Sequence, residues 1–313
     1  MPMQRSRFTT HRRVTLALAG CLLTFGTTIA AQAATSPSFE TQWIRANGVT
    51  LRYRLEGKGP DTIVLLHESG MALESWDLVA PVLAKTHRVL RYDLRGYGLS
   101  QSIKGPFSID DELADLRELL KALNIAGKVH LVGGAIGGAV ALKFAADYPE
   151  LTANVIAISP AAYLQGRATA AMAGGGGAGT PPSPGQPAPG AATAPPSQNM
   201  EDINEGAFPK RLREANPAHY ERFKALEQSA GSAGSGGGAS MSAVYAVKFA
   251  DVLPKIKVPA VIAATSLWIR KPDDFKLLAD AIPNSHFEVL ETGHFAPLAS
   301  PDMVIALIRK YDK

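Results

Sequence analysis

The 313-residue chain predicts an α/β protein with a mostly parallel central sheet and helices on both faces. Three observations lead there. From about residue 40 onward, short apolar runs alternate with segments of helical period, as expected of strand and helix units that build a parallel sheet. The runs "DTIVLLH", "HRVLRYD", "KVHLVG" and "NVIAIS" are nearly unbroken, which suits strands buried on both faces. Finally, the alternation breaks at one long stretch with little to bury and then resumes.

Residues 1–33 precede the alternating part and read as an export signal. They hold a basic stretch ending at Arg13, an apolar run beginning "VTLALAGCLLTFG", and a cleavage site of small residues at Ala31-Gln32-Ala33. Glycines and threonines interrupt the run, and it is short for a permanent membrane span. Cys21, the only cysteine, lies in Leu18-Ala19-Gly20-Cys21, which also resembles the bacterial lipoprotein signal. The apolar run continues past Cys21, so cleavage near Ala33 is the favoured expectation and a lipid anchor at Cys21 the alternative. Arg12-Arg13 adds a weak hint of twin-arginine export. The expected location is therefore periplasmic or secreted. A chain cut near Ala33 has no thiol, which excludes disulfides and cysteine-based metal sites.

The formal charge of +4 misleads, because Arg5, Arg7, Arg12 and Arg13 supply all of it. The remainder is neutral, with no electrostatic footprint for nucleic acid.

The elements follow in order. "TQWIRA" and "TLRYRLEG", joined across Asn47-Gly48, read as an antiparallel hairpin. The four unbroken runs supply the next strands. Between them, "SIDDELADLRELLKALNI" repeats Ile109, Leu113, Leu116, Leu120 and Leu123 at helical spacing, with Ser108 and Asp111 as an N-terminal cap. "GAVALKFAADYP" is a helix of small residues that Pro149 ends. No charged residue occurs from Ala168 to Met200, and a disordered loop is expected there. A short helical island, "PKRLREANPAHYERFKALEQ", and a second flexible run, "SAGSAGSGGGAS", follow. The pattern then resumes with "PAVIAA", "DDFKLLADAI", "HFEVLE" and "SPDMVIALIRKY", the last starting with Ser300 as cap and Pro301 in the first turn. The expected organisation is a signal peptide at 1–33, a core at 34–165 and 246–313, and an insertion at 166–245.

Four motifs occur in order: "HESG" (67–70) after a strand, "DLRGYGLS" (93–100) after the next, "GGAIG" (133–137), and "GHFAP" (293–297) after the last strand. This ordered set resembles the α/β-hydrolase superfamily, in particular its esterase, enol-lactonase and carbon–carbon hydrolase branch, over roughly residues 40–165 and 255–313. The resemblance makes the low-complexity insertion a lid. It also makes 133–137 the nucleophile elbow, G-x-S-x-G, with Ala135 where the serine belongs. His294 falls where the family places its base. The expected acid is missing: the loop after "PAVIAA" reads Ala264-Thr265-Ser266-Leu267-Trp268, which puts Leu267, or Ser266 at one residue's slip, in the aspartate's place. The other acid position in the family, in "ISPAAY", has none either.

By the same resemblance, the backbone N–H groups of Ser69 and Ile136 form an oxyanion hole, which side-chain replacement leaves intact. Glu68 departs from the family, where glycine is usual, and a carboxylate there is placed to approach His294 and the emptied elbow. His67 is expected to hold its loop, Asp93 with Arg95 to fix the turn after their strand, and Trp76 and Trp268 to be core or pocket wall. The histidines have no metal-ligand spacing and "GGAIGG" lacks a nucleotide fingerprint, so no metal or cofactor is expected. Two functions stay open. One is an enzyme without a serine nucleophile, in which His294, helped by Glu68, does acid/base work on a small carbonyl or ester-type compound. The other is an inactive homologue that binds a small ligand or partner.

Overall fold

The structure, a computed structural model, describes residues 41–164, 205–232 and 236–312. The expected export signal and the uncharged stretch 168–200 lie outside the described residues. The sheet contains β1 (Gln42–Ala46), β2 (Val49–Glu56), β3 (Thr62–Leu66), β4 (Arg88–Tyr92), β5 (Val129–Gly134), β6 (Thr152–Ile158), β7 (Ala260–Thr265) and β8 (Ser285–Leu290). Their order is β1-β2-β4-β3-β5-β6-β7-β8. β2 is antiparallel to β1 and β4, and every other pairing is parallel. The opening hairpin turns at Asn47 and Gly48, both with positive φ (48° and 74°), the conformation a two-residue hairpin demands and these residue types tolerate.

Helices cover both faces, as the unbroken apolar strands require. α1 (Ala80–Leu83) follows β3; α2 (Ile109–Ala122) and α3 (Ala135–Asp147) bracket β5. Leu113, Leu116 and Leu120 of α2 and Val140 and Phe144 of α3 pack on Val64, Leu66 and Leu131 at one face. Ser108 and Asp111 form the expected reciprocal cap of α2, with the Ser108 N–H donating to Asp111 Oδ2 at 2.8 Å.

The insertion carries α4 (Lys210–Ala215), α5 (Pro217–Ser232) and α6 (Gly236–Tyr245), and α7 (Pro272–Asp280), α8 (Ala296–Ala299) and α9 (Pro301–Tyr311) follow it. Val304, Leu307 and Ile308 of α9 close the opposite face over Ile63, Leu65 and Val132, with Trp76 fully buried among them. Ser300 precedes α9, but its hydroxyl does not cap that helix and instead bonds Thr292 Oγ1 at 2.8 Å.

Two expectations need correction. The run at 229–240, read as flexible, is helical at both ends: α5 reaches Ser232 and α6 begins at Gly236. Glycine and serine are poor helix formers, but Ser240, Val244 and Tyr245 are buried and the last two join the main core, so packing overrides propensity. Asp93 and Arg95 both fix the turn after β4, though not with each other. Asp93 accepts the Leu73 and Leu99 N–H groups (both 2.8 Å) and pairs with Arg52, whereas Arg95 pairs with Asp115.

The helical part of the insertion docks over the carboxyl ends of the strands. Ala207, Phe208 and Phe223 bury against Met71, Leu298 and Ala299, and Arg222 of α5 pairs with Asp77, which also receives Arg91.

Candidate functional site

The site is built where strand meets helix. β5 ends at Gly134, α3 starts at Ala135, and Ala135 holds a left-handed backbone with φ of 44°. An alanine there costs on the order of 1 kcal/mol or more, so its surroundings must impose the turn. They do. A Cβ at Gly137 would sit 2.5 Å from Leu66 O, and one at Gly133 would strike the Gly137 backbone, so strand and helix approach as only glycines allow. The Ala161 N–H donates to Ala135 O at 2.8 Å and pins the corner from β6. The elbow therefore keeps its shape with no hydroxyl on it. Ile136, the next residue, lies in the first turn of α3, whose N–H groups have no intrahelical acceptor and carry the positive end of the helix dipole.

Across from the elbow runs the loop after β3. His67 is fully buried and satisfied at both ring nitrogens: Nδ1–H donates to Glu68 O (2.8 Å) and Nε2 accepts the Leu94 N–H (3.0 Å). Burial keeps it neutral by lowering its pKa, and its role is to shape the loop. Ser69 is half-buried, beside the Tyr97 hydroxyl. Glu68 is 1% exposed, and its carboxyl oxygens lack well-formed hydrogen bonds, with only the Ser75 hydroxyl and its own backbone N–H near enough to offset part of the cost of burial. Its side chain lies against Gly134: a Cβ added there would be 2.6 Å from Glu68 Oε1 and 2.8 Å from Cγ. Burial pushes the Glu68 pKa up to about 7.

His294 lies in the loop between β8 and α8. Its N–H donates to Gly206 O at 3.0 Å, so the segment entering α4 forms a wall of the site. The imidazole is half-buried and stacks on Trp268, with ring centroids 4.2 Å apart and planes 17° from parallel. Nδ1 is sealed from solvent without a partner, and burial alone pushes the pKa down to about 4. Among the described residues, no carboxylate orients the ring.

Leu267, expected in the acid's place, instead lines an outward groove with Glu205, Pro209 and Arg211, and Trp268 meets the imidazole. Trp268 is the third residue after Thr265, the strand's last, and counting G-x-x-D from Thr265 rather than Ala264 finds it. At the alternative acid position, Ser159 Oγ bonds Thr265 Oγ1 at 2.8 Å, so a neutral pair fills that corner. Glu68 reaches the elbow but contributes nothing to the charge environment of His294. Among the described residues, no group of three histidine, cysteine or acidic side chains is arranged to hold a metal.

Residues 61–301 match the family described as alpha/beta hydrolase fold. The chain belongs to this family. Among relatives of this α/β-hydrolase, 2-hydroxy-6-oxo-6-(2'-aminophenyl)hexa-2,4-dienoic acid hydrolase of Metapseudomonas resinovorans is 32% identical over 130 residues, 41% of this chain and 44% of that protein. Fluoroacetate dehalogenase of a Burkholderia species is 35% identical over 129 residues, 39% of this chain and 42% of that protein. The chain thus aligns with less than half the length of either. The enol-lactonase structure from Burkholderia xenovorans LB400 superposes with a TM-score of 0.68, covering 86% of this chain and 99% of that one at 23% identity, a likeness of fold. These relatives and fold neighbours are hydrolases. Among the described residues, no helix is long and apolar enough to cross a membrane.

Proposed function

We propose that this α/β-hydrolase acts on a small carbonyl or ester-type compound by acid/base chemistry at His294, without a serine nucleophile. The observation that carries this reading is the left-handed backbone kept at Ala135, since strain persists where surrounding structure over-determines it and clusters at functional sites. The substrate's carbonyl oxygen would lie between the N–H groups of Ser69 and Ile136, donors that need no side chain. His294, neutral at pH 7 because its pKa is depressed to about 4, would accept a proton from water or from an acidic C–H or O–H. The imidazolium and the oxyanion would stabilise each other until the proton returns. Acid/base help is worth about 10²–10⁴-fold. An oxyanion hole with binding leaves about 10³–10⁴ over water after triad loss. A setting outside the cytoplasm, free or anchored at Cys21, belongs to the same proposal and rests on residues 1–33.

The test is a panel of small esters, enol lactones and β-diketones. His294→Ala should lower kcat at least about 10²-fold while leaving ligand affinity within about tenfold, because the lost interaction belongs to the transition state. Unchanged turnover removes His294 from the chemistry. One observation favours a second reading, that of a ligand-binding protein: the sealed, unpaired Nδ1 leaves His294 a weak and unoriented base. Ligand binding without turnover across the panel selects it.

A further inference from the structure

Glu68 is out of place as a structural residue. A carboxyl 1% exposed, without well-formed hydrogen bonds and with only the Ser75 hydroxyl and its own N–H close by, costs stability, and packing alone would favour an apolar side chain. Nor is it held there by a counter-charge. The groups that face it are Gly134 at the end of β5, the Ser75 hydroxyl on the turn Leu73–Trp76, and its neighbour His67, whose imidazole is neutral and already bonded. Arg52, Glu74 and Asp93 act on His67, and among the described residues no charged side chain acts on Glu68.

Its position gives it a use. Gly134 is the N-cap residue of α3, so the carboxyl rests against the N-terminal end of that helix, where the first-turn N–H groups have no intrahelical acceptor. Ionised, Glu68 draws on the positive end of that helix. An anion on the Ile136 N–H draws on the same partial charge, and two negative charges there repel in a water-poor setting. We infer that Glu68 is the proton-holding residue of the oxyanion site, and that the site takes up one proton onto Glu68 when a small carboxylate or oxyanion binds between Ser69 and Ile136. This rests on the oxyanion placement of the proposed function and deepens it by naming the ligand class, a small acid or a compound that becomes an oxyanion. The balance is simple: the proton comes from solvent, adds to a Glu68 carboxylate oxygen as the anion enters, and returns to solvent as it leaves. With Glu68 raised to about 7, the site is ready below that pH and must acquire the proton above it.

The experiment follows the Ser69 and Ile136 amide resonances of the full chain during titration with propionate, and with propionamide as its neutral counterpart, from about pH 5.5 to pH 8.5. Propionate should shift both amides, with an affinity that is flat below about pH 6 and falls up to tenfold per unit above about pH 7. Propionamide should show no such slope. Glu68→Gln should bind propionate with the slope abolished, and His294→Gln should keep it. Should Glu68→Gln fold poorly, infrared difference spectra of the unaltered protein near pH 7.5 give the same answer, since a carboxylic-acid carbonyl band must grow when propionate is added. Unmoved amides at every pH, a slope that survives Glu68→Gln, a slope lost in His294→Gln, or no acid band would each overturn the proposal. None of these results touches the turnover test of His294, so the two readings fail separately.

Discussion

Glu68, fully buried, and His294, half-buried with its Nδ1 sealed from solvent, are ionisable side chains whose pKa values move in opposite directions for the same reason, since burial disfavours whichever form is charged. The consequences for stability differ in sign. Glu68 is raised from 4.5 to about 7, so its stability is fully present below about pH 4.5 and is lost as pH rises towards 7. His294 is lowered from 6.5 to about 4, so its stability is present above about pH 6.5 and is lost as pH falls towards 4. Glu68→Gln removes the first effect and leaves the second. Denaturant unfolding should find the variant close to wild type near pH 4.5 and more stable by on the order of 3 kcal/mol near pH 8. A gain that does not change with pH would mean that the carboxyl is solvated or paired. At this scale the sequence was legible where one residue type answers one backbone demand, as at Asn47-Gly48. It was illegible where two residues meet in space: only the fold shows that Glu68 and a side chain at 134 compete for one volume.

Among the elements, the strands and core helices could be read because their apolar periodicity reports burial directly. α6 could not, because its signal is a run of glycine, serine and alanine and its stability comes from Tyr245 and Val244 joining a core built by other segments. The insertion's role in the site was equally hidden: nothing in "EGAFPKR" announces that Gly206 accepts from the His294 backbone or that Phe208 is fully buried. Phe208 holds α5 down by packing on Phe223 and Tyr220. Phe208→Ala should therefore cost about 3–5 kcal/mol, spent locally. Amide exchange in residues 210–226 should accelerate by about 10²-fold or more while β3, β5 and β6 keep their protection. Equal acceleration throughout would show that these helices and the sheet unfold as one unit.

At the scale of the molecule, the site joins the loop after β3, the elbow after β5, the loop after β7 and the loop after β8, so the sheet supplies its geometry and the side chains only decorate it. That separation is why the fold could be read from ordered motifs, while only the structure shows that Trp268, and not Leu267, stacks on His294. It also makes the proposed absence of a triad testable by building one in. Ala135→Ser puts a hydroxyl on a corner already left-handed, and Trp268→Asp puts a carboxylate where the imidazole now stacks on an indole. Neither change should suffice alone. A serine beside an unoriented histidine lacks what costs about 10⁴ in turnover when the orienting acid is disabled in serine proteases, and an acid without a nucleophile has nothing to activate. Each single variant should hydrolyse p-nitrophenyl acetate at no more than a few times the wild-type rate and resist fluorophosphonate labelling. The double variant should exceed the combined effects of the singles by at least about tenfold and label at residue 135, the non-additivity expected of groups that act as a unit. A robust esterase from Ala135→Ser alone would mean that another carboxylate already orients His294. A folded but inert double variant would mean that the surrounding pocket has diverged along with the triad, and would move the ligand-binding reading ahead of the enzyme.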